Sequence, residues 1–338
     1  MSESGDFTPA AHWAGYDFAS ARRSYVSHAA RSYTDAVTKG VKAASLVPAS
    51  ITTDSEQALV IACDVTGSMQ EWPATIFSKL PYLEHEAAEY MGSQVRTSFA
   101  AIGDLHSDKY PLQVSDFVEG LGMKDALEKL VIERGGGGTS EESYELCALY
   151  YAHNCHMPNV IRKPVFVFIG DEGVYPTIAK EHAETLAKVL TESTVNLIDD
   201  IFEKLKEKFN VYVIRKPYGG TVNAPTPDET RIRNQWIKLL GEENVIGLPD
   251  PNRVVDVIFG ILAKESNKVE YFVEELKERQ GKDVDGDKKI EMVMKSLKTL
   301  HSKAKTVAKK LPPPSRAVSV TKRKTKGAAV KSVSLLDD

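Results

Sequence analysis

Three short stretches of this sequence place oxygen donors at turns from which they could converge on one point. The first is Asp64-Val65-Thr66-Gly67-Ser68-Met69, where a carboxylate and two hydroxyls alternate around a glycine that lets the chain turn. The second runs from Gly135 to Ser140, a glycine run that closes on the hydroxyl of Thr139. The third is Gly170-Asp171-Glu172-Gly173. Two carboxylates, Asp64 and Asp171, with the hydroxyls of Thr66, Ser68 and Thr139 would form a hard, all-oxygen site carrying few charges. Such a donor set suits Mg²⁺ or Mn²⁺. Taken alone, the first stretch would serve equally well as a helix N-cap and turn, its oxygens satisfying helix-end amides.

The elements around the three stretches decide between those readings. Ala58 to Cys63, Thr97 to Ile102 and Pro164 to Ile169 are short continuous apolar runs bounded by polar residues, as expected of strands buried on both faces. Asn210 to Ile214 and Val245 to Leu248 continue the series. Helical patterns lie between them: Ala74 to Met91, Lys124 to Glu133, Glu141 to Asn154, Ile178 to Leu190, Val195 to Phe209 and Thr230 to Leu240. Buried strands alternating with helices imply an α/β fold, a doubly wound and mostly parallel sheet with helices on both faces. In such sheets the strand ends meet a crevice at the topological switch point. Asp64 and Asp171 each directly follow an apolar run, so both are expected at that crevice.

The Asp-x-Thr-Gly-Ser-Met element resembles the signature of von Willebrand factor type A (vWA) domains, which carry a metal-ion-dependent adhesion site (MIDAS). In that family a Thr from a later loop and an Asp after a central strand complete the site. Thr139 and Asp171 match these in order and context, 75 and 107 residues after Asp64. The resemblance covers roughly residues 55–264. It implies that Thr66 and Ser68 ligate the metal directly, that Asp64 and Asp171 act largely through bound water, and that Thr139 ligates in one conformational state. A sixth position would stay open for an acidic side chain of a partner protein. Thr66 stands where Ser is commoner, which preserves the hydroxyl. Intracellular relatives of this kind act as adaptors, some beside AAA+ ATPases, so an adaptor or assembly factor is expected.

Composition narrows the alternatives. The chain is 42% hydrophobic and 27% charged, ordinary for a protein with a filled core, and its net charge of −4 is too mild to select a partner. Three cysteines, Cys63, Cys147 and Cys155, sit in apolar or helical stretches, as expected of free thiols in a reducing compartment. The first residues lack a basic segment followed by an apolar run, and no stretch is long enough to span a bilayer. A cytoplasmic protein without membrane contact is the expectation. Residues 1–54 read as a helical arm, 55–264 as the α/β domain, 265–310 as a charged helical extension broken around Gly281 to Gly286, and 311–338 as a basic, disordered tail. Asp250 and Pro251 mark the start of a helix that closes the domain.

Rival chemistries are weaker. The glycine run lacks the Lys of a phosphate-binding P-loop. An aspartyl nucleophile usually has a second Asp two residues on, where this chain has Thr66. No Cys/His or Ser/His/Asp set suggests nucleophilic catalysis. A metal-assisted phosphoester hydrolase with Glu172 or His106 as base remains open, as does an oligomerising assembly protein of a phage or a tellurite-resistance-like stress system. Asp104, His106 and Asp108 could hold a second cation, although a single loop cluster more often caps. Asp283 to Asp287 opens like an EF-hand but has Lys288 and Met294 where that loop needs Gly and Glu. Cys155 between His153 and His156 lacks a second pair for zinc. The Thr321 to Lys326 run has no aromatic residues for stacking bases, so nucleic acid is not the expected partner.

Overall fold

The computed structural model describes residues 9–135, 139–195, 198–221 and 224–301. Gly136 to Gly138 and the basic tail at 311–338 lie outside the described residues. Six strands form the main sheet: β1 (Ala58–Asp64), β2 (Arg96–Ile102), β3 (Leu112–Val114), β4 (Val165–Gly170), β5 (Asn210–Arg215) and β6 (Val245–Gly247), in the order β6-β5-β4-β1-β2-β3. All pairings are parallel except β2 with β3, where Ala100 faces Val114 and Ile102 faces Leu112. The doubly wound, Rossmann-like α/β fold is therefore as the sequence predicts. The short β3 was not legible, because three residues after Pro111 make no recognisable apolar run.

Alternation along the strands divides the core in two. Leu59, Ile61, Val165, Val167 and Ile214 face one apolar layer. Val60, Ala62, Phe166, Phe168 and Val213 face the other. The second layer is covered by α5 (Tyr144–Asn154), α7 (Ile198–Lys208) and α8 (Pro227–Leu240). The first is covered by α2 (Glu71–Ser78), α3 (Leu80–Met91) and α9 (Val254–Glu265). It also takes in Tyr25 of the N-terminal helix α1 (Phe18–Thr38), which stacks on Phe77 at 4.6 Å between ring centroids.

Several helices are shorter than the apolar pattern suggests. The stretch from Ala74 to Met91 is two helices that part at Lys79, and Pro81 sits in the first turn of the second because it has no N–H to continue the first. Lys124 to Glu133 contributes to α4 (Leu121–Glu128), after which Leu130 to Ile132 run on as buried, non-helical chain. Ile178 to Leu190 yields only α6 (Lys180–Thr185), and Lys188 turns the chain at φ 57°. Asp250 caps as expected, its carboxylate accepting from the Asn252 N–H, although the first turn is 3-10 (Pro251–Arg253). The three cysteines are buried and free. No helix among the described residues is long and apolar enough to cross a membrane.

The charged stretch after α9 forms α10 (Val269–Gln280) and α11 (Gly286–Ser296). Their apolar positions, Phe272, Leu276 and Val293, join the same core as α9, as does Leu297 just after α11. A buried ion network reinforces that packing. Asp256 on α9 accepts from Arg253 at 3.1 Å, Arg279 at 3.2 Å and Gln280 at 2.9 Å. The Arg279 guanidinium lies 4.6 Å above the Tyr82 ring of α3. Burial pushes the Asp256 carboxyl upward, but the charges of Lys79, Arg279 and Arg253 outweigh it and leave it below the usual carboxylate range. Removing one member of a buried pair leaves the other charge uncompensated. Arg279→Met should therefore cost about 3–5 kcal/mol in urea unfolding, whereas a loss below about 1 kcal/mol would show the network to be dispensable.

Candidate metal centre

At the carboxyl ends of β1 and β4, on either side of the switch point, the chain brings three carboxylates together. One ligand oxygen each from Asp64, Asp171 and Glu172 lies within 4.8 Å of the others. Asp64 ends β1 and is fully buried; its Oδ1 accepts from the Thr66 N–H at 2.8 Å and the Thr66 hydroxyl at 2.6 Å. Ser68 donates its hydroxyl to Asp171 Oδ1 at 3.0 Å. Asp64, Thr66, Ser68 and Asp171 thus share one site. Thr139 is engaged elsewhere: its hydroxyl contacts the Tyr175 hydroxyl at 3.0 Å and donates to the Glu141 carbonyl at 3.1 Å.

Three further groups belong to the site, and the sequence reading did not assign them to it. Glu142, buried at the N-terminal side of α5, feels the charges of both Asp64 and Glu172. Tyr144 donates to Asp64 Oδ2 at 3.0 Å. It can do so because residue 170 is glycine: a Cβ there would lie 1.7 Å from the Tyr144 hydroxyl oxygen. Lys216, just after β5, donates to Asp171 Oδ2 at 3.1 Å and to the Ser68 carbonyl at 2.7 Å. Of these, Glu142 had a signal available, an acidic residue just before an apolar helix, but Lys216 had none short of the folded sheet.

The backbone at Asp171 and Glu172 is held from behind. Arg215 donates to the Asp171 carbonyl at 2.8 Å and forks onto Glu229 at 3.0 and 2.9 Å. The Trp236 indole N–H donates to the Glu172 carbonyl at 2.9 Å. Glu229 in turn lies in the first turn of α8, whose N-cap Thr226 accepts from the Glu229 N–H at 3.1 Å.

The electrostatics favour a cation. Burial, and then the charge of Asp171, pushes the Asp64 carboxyl up to about 8 against the opposing hydrogen bonds from Thr66. Burial raises Glu172 to about 7, and it raises Glu142 further still, with the charge of Asp64 adding to it. Oε2 of Glu142 and Oε2 of Glu172 are buried with no N–H or O–H donor among the described residues. Carboxylates that lack donors and face one another need a proton or a metal ion between them. The hydroxyls of Thr66 and Ser68 keep lone pairs to offer a cation while donating to the carboxylates. The donor set therefore fits a hard divalent cation, with Asp64, Asp171 and Glu172 as its carboxylates.

The Asp104 loop is closed on itself instead. Asp104 Oδ1 accepts from the His106 N–H and the Tyr175 hydroxyl, both at 2.9 Å, and Oδ2 accepts from Ser107 at 2.8 Å. Asp108 Oδ2 accepts from the Asp104 N–H at 2.9 Å. Among the described residues, metal-ligating groups converge only at Asp64, Asp171 and Glu172.

No protein-family description matches this chain, and neither does any curated protein. Among solved structures it is similar to the pilus adhesin SpaC of Lactobacillus rhamnosus GG, with a TM-score of 0.43 and 10% identity over 65% of this chain and 31% of the adhesin. The open conformation of that adhesin gives 0.43 and 9%, over 64% and 31% of the two chains. Proximal thread matrix protein 1 of the mussel byssus gives 0.41 and 10%, over 62% and 48%. The chain spans less than half the length of each.

Two outcomes follow from the geometry. The raised folded-state values of Asp64 and Glu172 lie above those of an unfolded chain, so the folded state retains protons that the unfolded state releases. The stability they contribute is complete below about pH 4 and is lost as pH rises through about 7 to 8. In EDTA the melting temperature should therefore fall from about pH 4 to about pH 8, and excess Mg²⁺ should restore it at the upper end. A flat profile in EDTA would contradict the electrostatic account. Gly170→Ala, which drives the Tyr144 hydroxyl off Asp64, should cost about 1–3 kcal/mol in thermal or urea unfolding.

Proposed function

We propose that this chain is a divalent-cation-dependent protein-binding module of the von Willebrand A type, gripping a carboxylate on a partner protein. The observation supporting it is the convergence of Asp64, Asp171 and Glu172, joined by the hydroxyls of Thr66 and Ser68, at the switch point of a doubly wound sheet. On the adhesion-site reading, Mg²⁺ or Mn²⁺ would be held directly by Thr66 and Ser68 and largely through water by Asp64 and Asp171. Few of its ligands would then carry charge, and the bound ion would stay electrophilic enough to favour an anionic sixth ligand. Thr139 would have to leave Tyr175 to join them, in keeping with a ligand that serves in one conformational state only.

A second reading has one observation in its favour. Glu172 stands within 4.8 Å of the Asp64 and Asp171 oxygens with its carboxyl raised to about 7, the range expected of a general base. Metal-assisted hydrolysis of a phosphoester would use it in that role. His106, the other base considered from the sequence, has its ring against Tyr175, at 4.8 Å between centroids.

Partner capture from native lysate separates the readings, with full-length protein in Mg²⁺, in EDTA and as Asp64→Ala. A protein retained only by the wild type in Mg²⁺ is the expected result, and calorimetry should show Mg²⁺ affinity lowered at least about tenfold, or about 1.4 kcal/mol, in the variant. Identical retention in all three conditions would remove the cation from the binding surface. Turnover of a generic phosphoester, lost in Glu172→Gln, would move the assignment to the hydrolase.

A further inference from the structure

We infer that a hollow of about 270 Å³ between α1 and α2 receives an apolar side chain from the partner segment whose carboxylate caps the cation. The N-terminal arm would then read the partner's sequence. This rests on the cation-dependent reading above and names what that partner must carry: an acidic residue with an aromatic or aliphatic one close beside it.

The hollow adjoins the loop that carries Ser68. Its rim takes in Gln70 and Glu71, separated from Ser68 only by Met69. The Cα atoms of Ser68 and Gln70 are therefore at most about 7 Å apart. Arg134 closes the rim from the other side, against the same loop. Its carbonyl oxygen would lie 3.3 Å from a Cβ at residue 67, and the Gly67 N–H donates to the Gly135 carbonyl at 2.8 Å. An extended partner chain, rising about 3.3 Å per residue, would pass from the cation to the hollow within a few residues.

The inner surface is apolar and fixed. Val26, Ala29, Ala74 and Ile132 line it beside Tyr25, whose ring is held by Phe77. The two alanines, facing each other from α1 and α2, leave space that longer side chains would fill. Val26 remains 44% exposed. The hollow falls below the roughly 300–1,000 Å³ of small-molecule sites, but it has room for one large side chain.

Charge at the rim favours an acidic segment. Arg22 is engaged, donating to Asn252 Oδ1 at 2.8 Å and lying 3.8 Å from Glu71. Arg134 is exposed and makes no hydrogen bond or ion pair through its side chain among the described residues. Its positive charge has the sign that attracts a carboxylate-bearing partner.

The test is calorimetry on the full chain with Gly/Ser peptides carrying one Glu and, one to four residues to either side, Phe or Ala. In Mg²⁺ at least one Phe peptide should bind at least tenfold more tightly than its Ala counterpart. Val26→Gln, which lays a polar chain over the hollow, should abolish that advantage and leave the melting temperature and Mg²⁺ affinity unchanged. Arg134→Gly, at a φ of 57° that glycine adopts freely, should keep the fold and weaken the Phe peptide; equal affinity in that variant would overturn the part given to charge. Equal binding of Phe and Ala peptides, an advantage that survives Val26→Gln, or no peptide binding at all overturns the pocket. An advantage that persists undiminished in EDTA overturns the cation reading instead and leaves the pocket standing.

Discussion

Like-charge crowding in a low-dielectric place sets the terms for this molecule. Asp64, Asp171 and Glu172 present oxygens within 4.8 Å of one another at the ends of two buried parallel strands. At an effective dielectric constant of about 20, each pair of full charges at that distance repels by at least about 3 kcal/mol. A neutral hydrogen bond returns only about 1 kcal/mol net, so the bonds from Thr66, Ser68 and Tyr144, with the half-exposed ion pair from Lys216 to Asp171, offset three such pairs only in part. The cluster needs protons or a cation, and the raised values at Asp64, Glu142 and Glu172 are the proton solution. A divalent ion is the other solution, and the surrounding hydroxyls favour it.

Much of the neighbouring architecture exists to hold this arrangement in place. The sheet brings Asp64 and Asp171 to the same edge because β1 and β4 are parallel neighbours, with Cys63 opposite Ile169. Gly170 leaves the space through which Tyr144 reaches Asp64. Arg215 and Trp236 hold the carbonyls of Asp171 and Glu172, so the two acidic side chains are presented from a backbone that cannot drift. Arg215 is itself buried and is fixed by Glu229, a pairing that makes burial of its charge tolerable. Lys216 places a partly exposed positive charge on the rim and donates to the Asp171 carboxylate, whereas Arg215 reaches only the Asp171 carbonyl.

The core of this was legible in the sequence, and the reasons for what was not are specific. Continuous apolar runs revealed the five parallel strands, since burial on both faces leaves no room for polar alternation. Asp64 and Asp171 could be placed because each follows such a run directly. Helix ends were less legible where proline or a left-handed residue intervened, as at Pro81 and Lys188. The parts of the site that escaped, Tyr144 and Lys216, act across 80 and 45 residues of separation. Their roles arise from packing α5 and β5 beside β1 and β4, which no local pattern encodes. Thr139 shows the converse: its order along the chain matched, while its hydroxyl has a different partner.

The same electrostatic logic constrains movement at the far side of the sheet. Helix α9 cannot slide as a free element, because Asp256 is buried among Arg253, Arg279 and Gln280, the last two belonging to α10. Gly260 of α9 is packed so closely that a Cβ there would lie 2.1 Å from Leu297, and its carbonyl contacts His301 at 3.0 Å. A displacement of α9 alone would strip a buried carboxylate of its partners, at a cost of several kcal/mol. Any rearrangement that couples the acidic centre to this face must therefore carry α9, α10 and α11 as one body. Since α11 also forms a wall of a cavity of about 980 Å³ facing α8, such a movement would change the shape of that cavity as well.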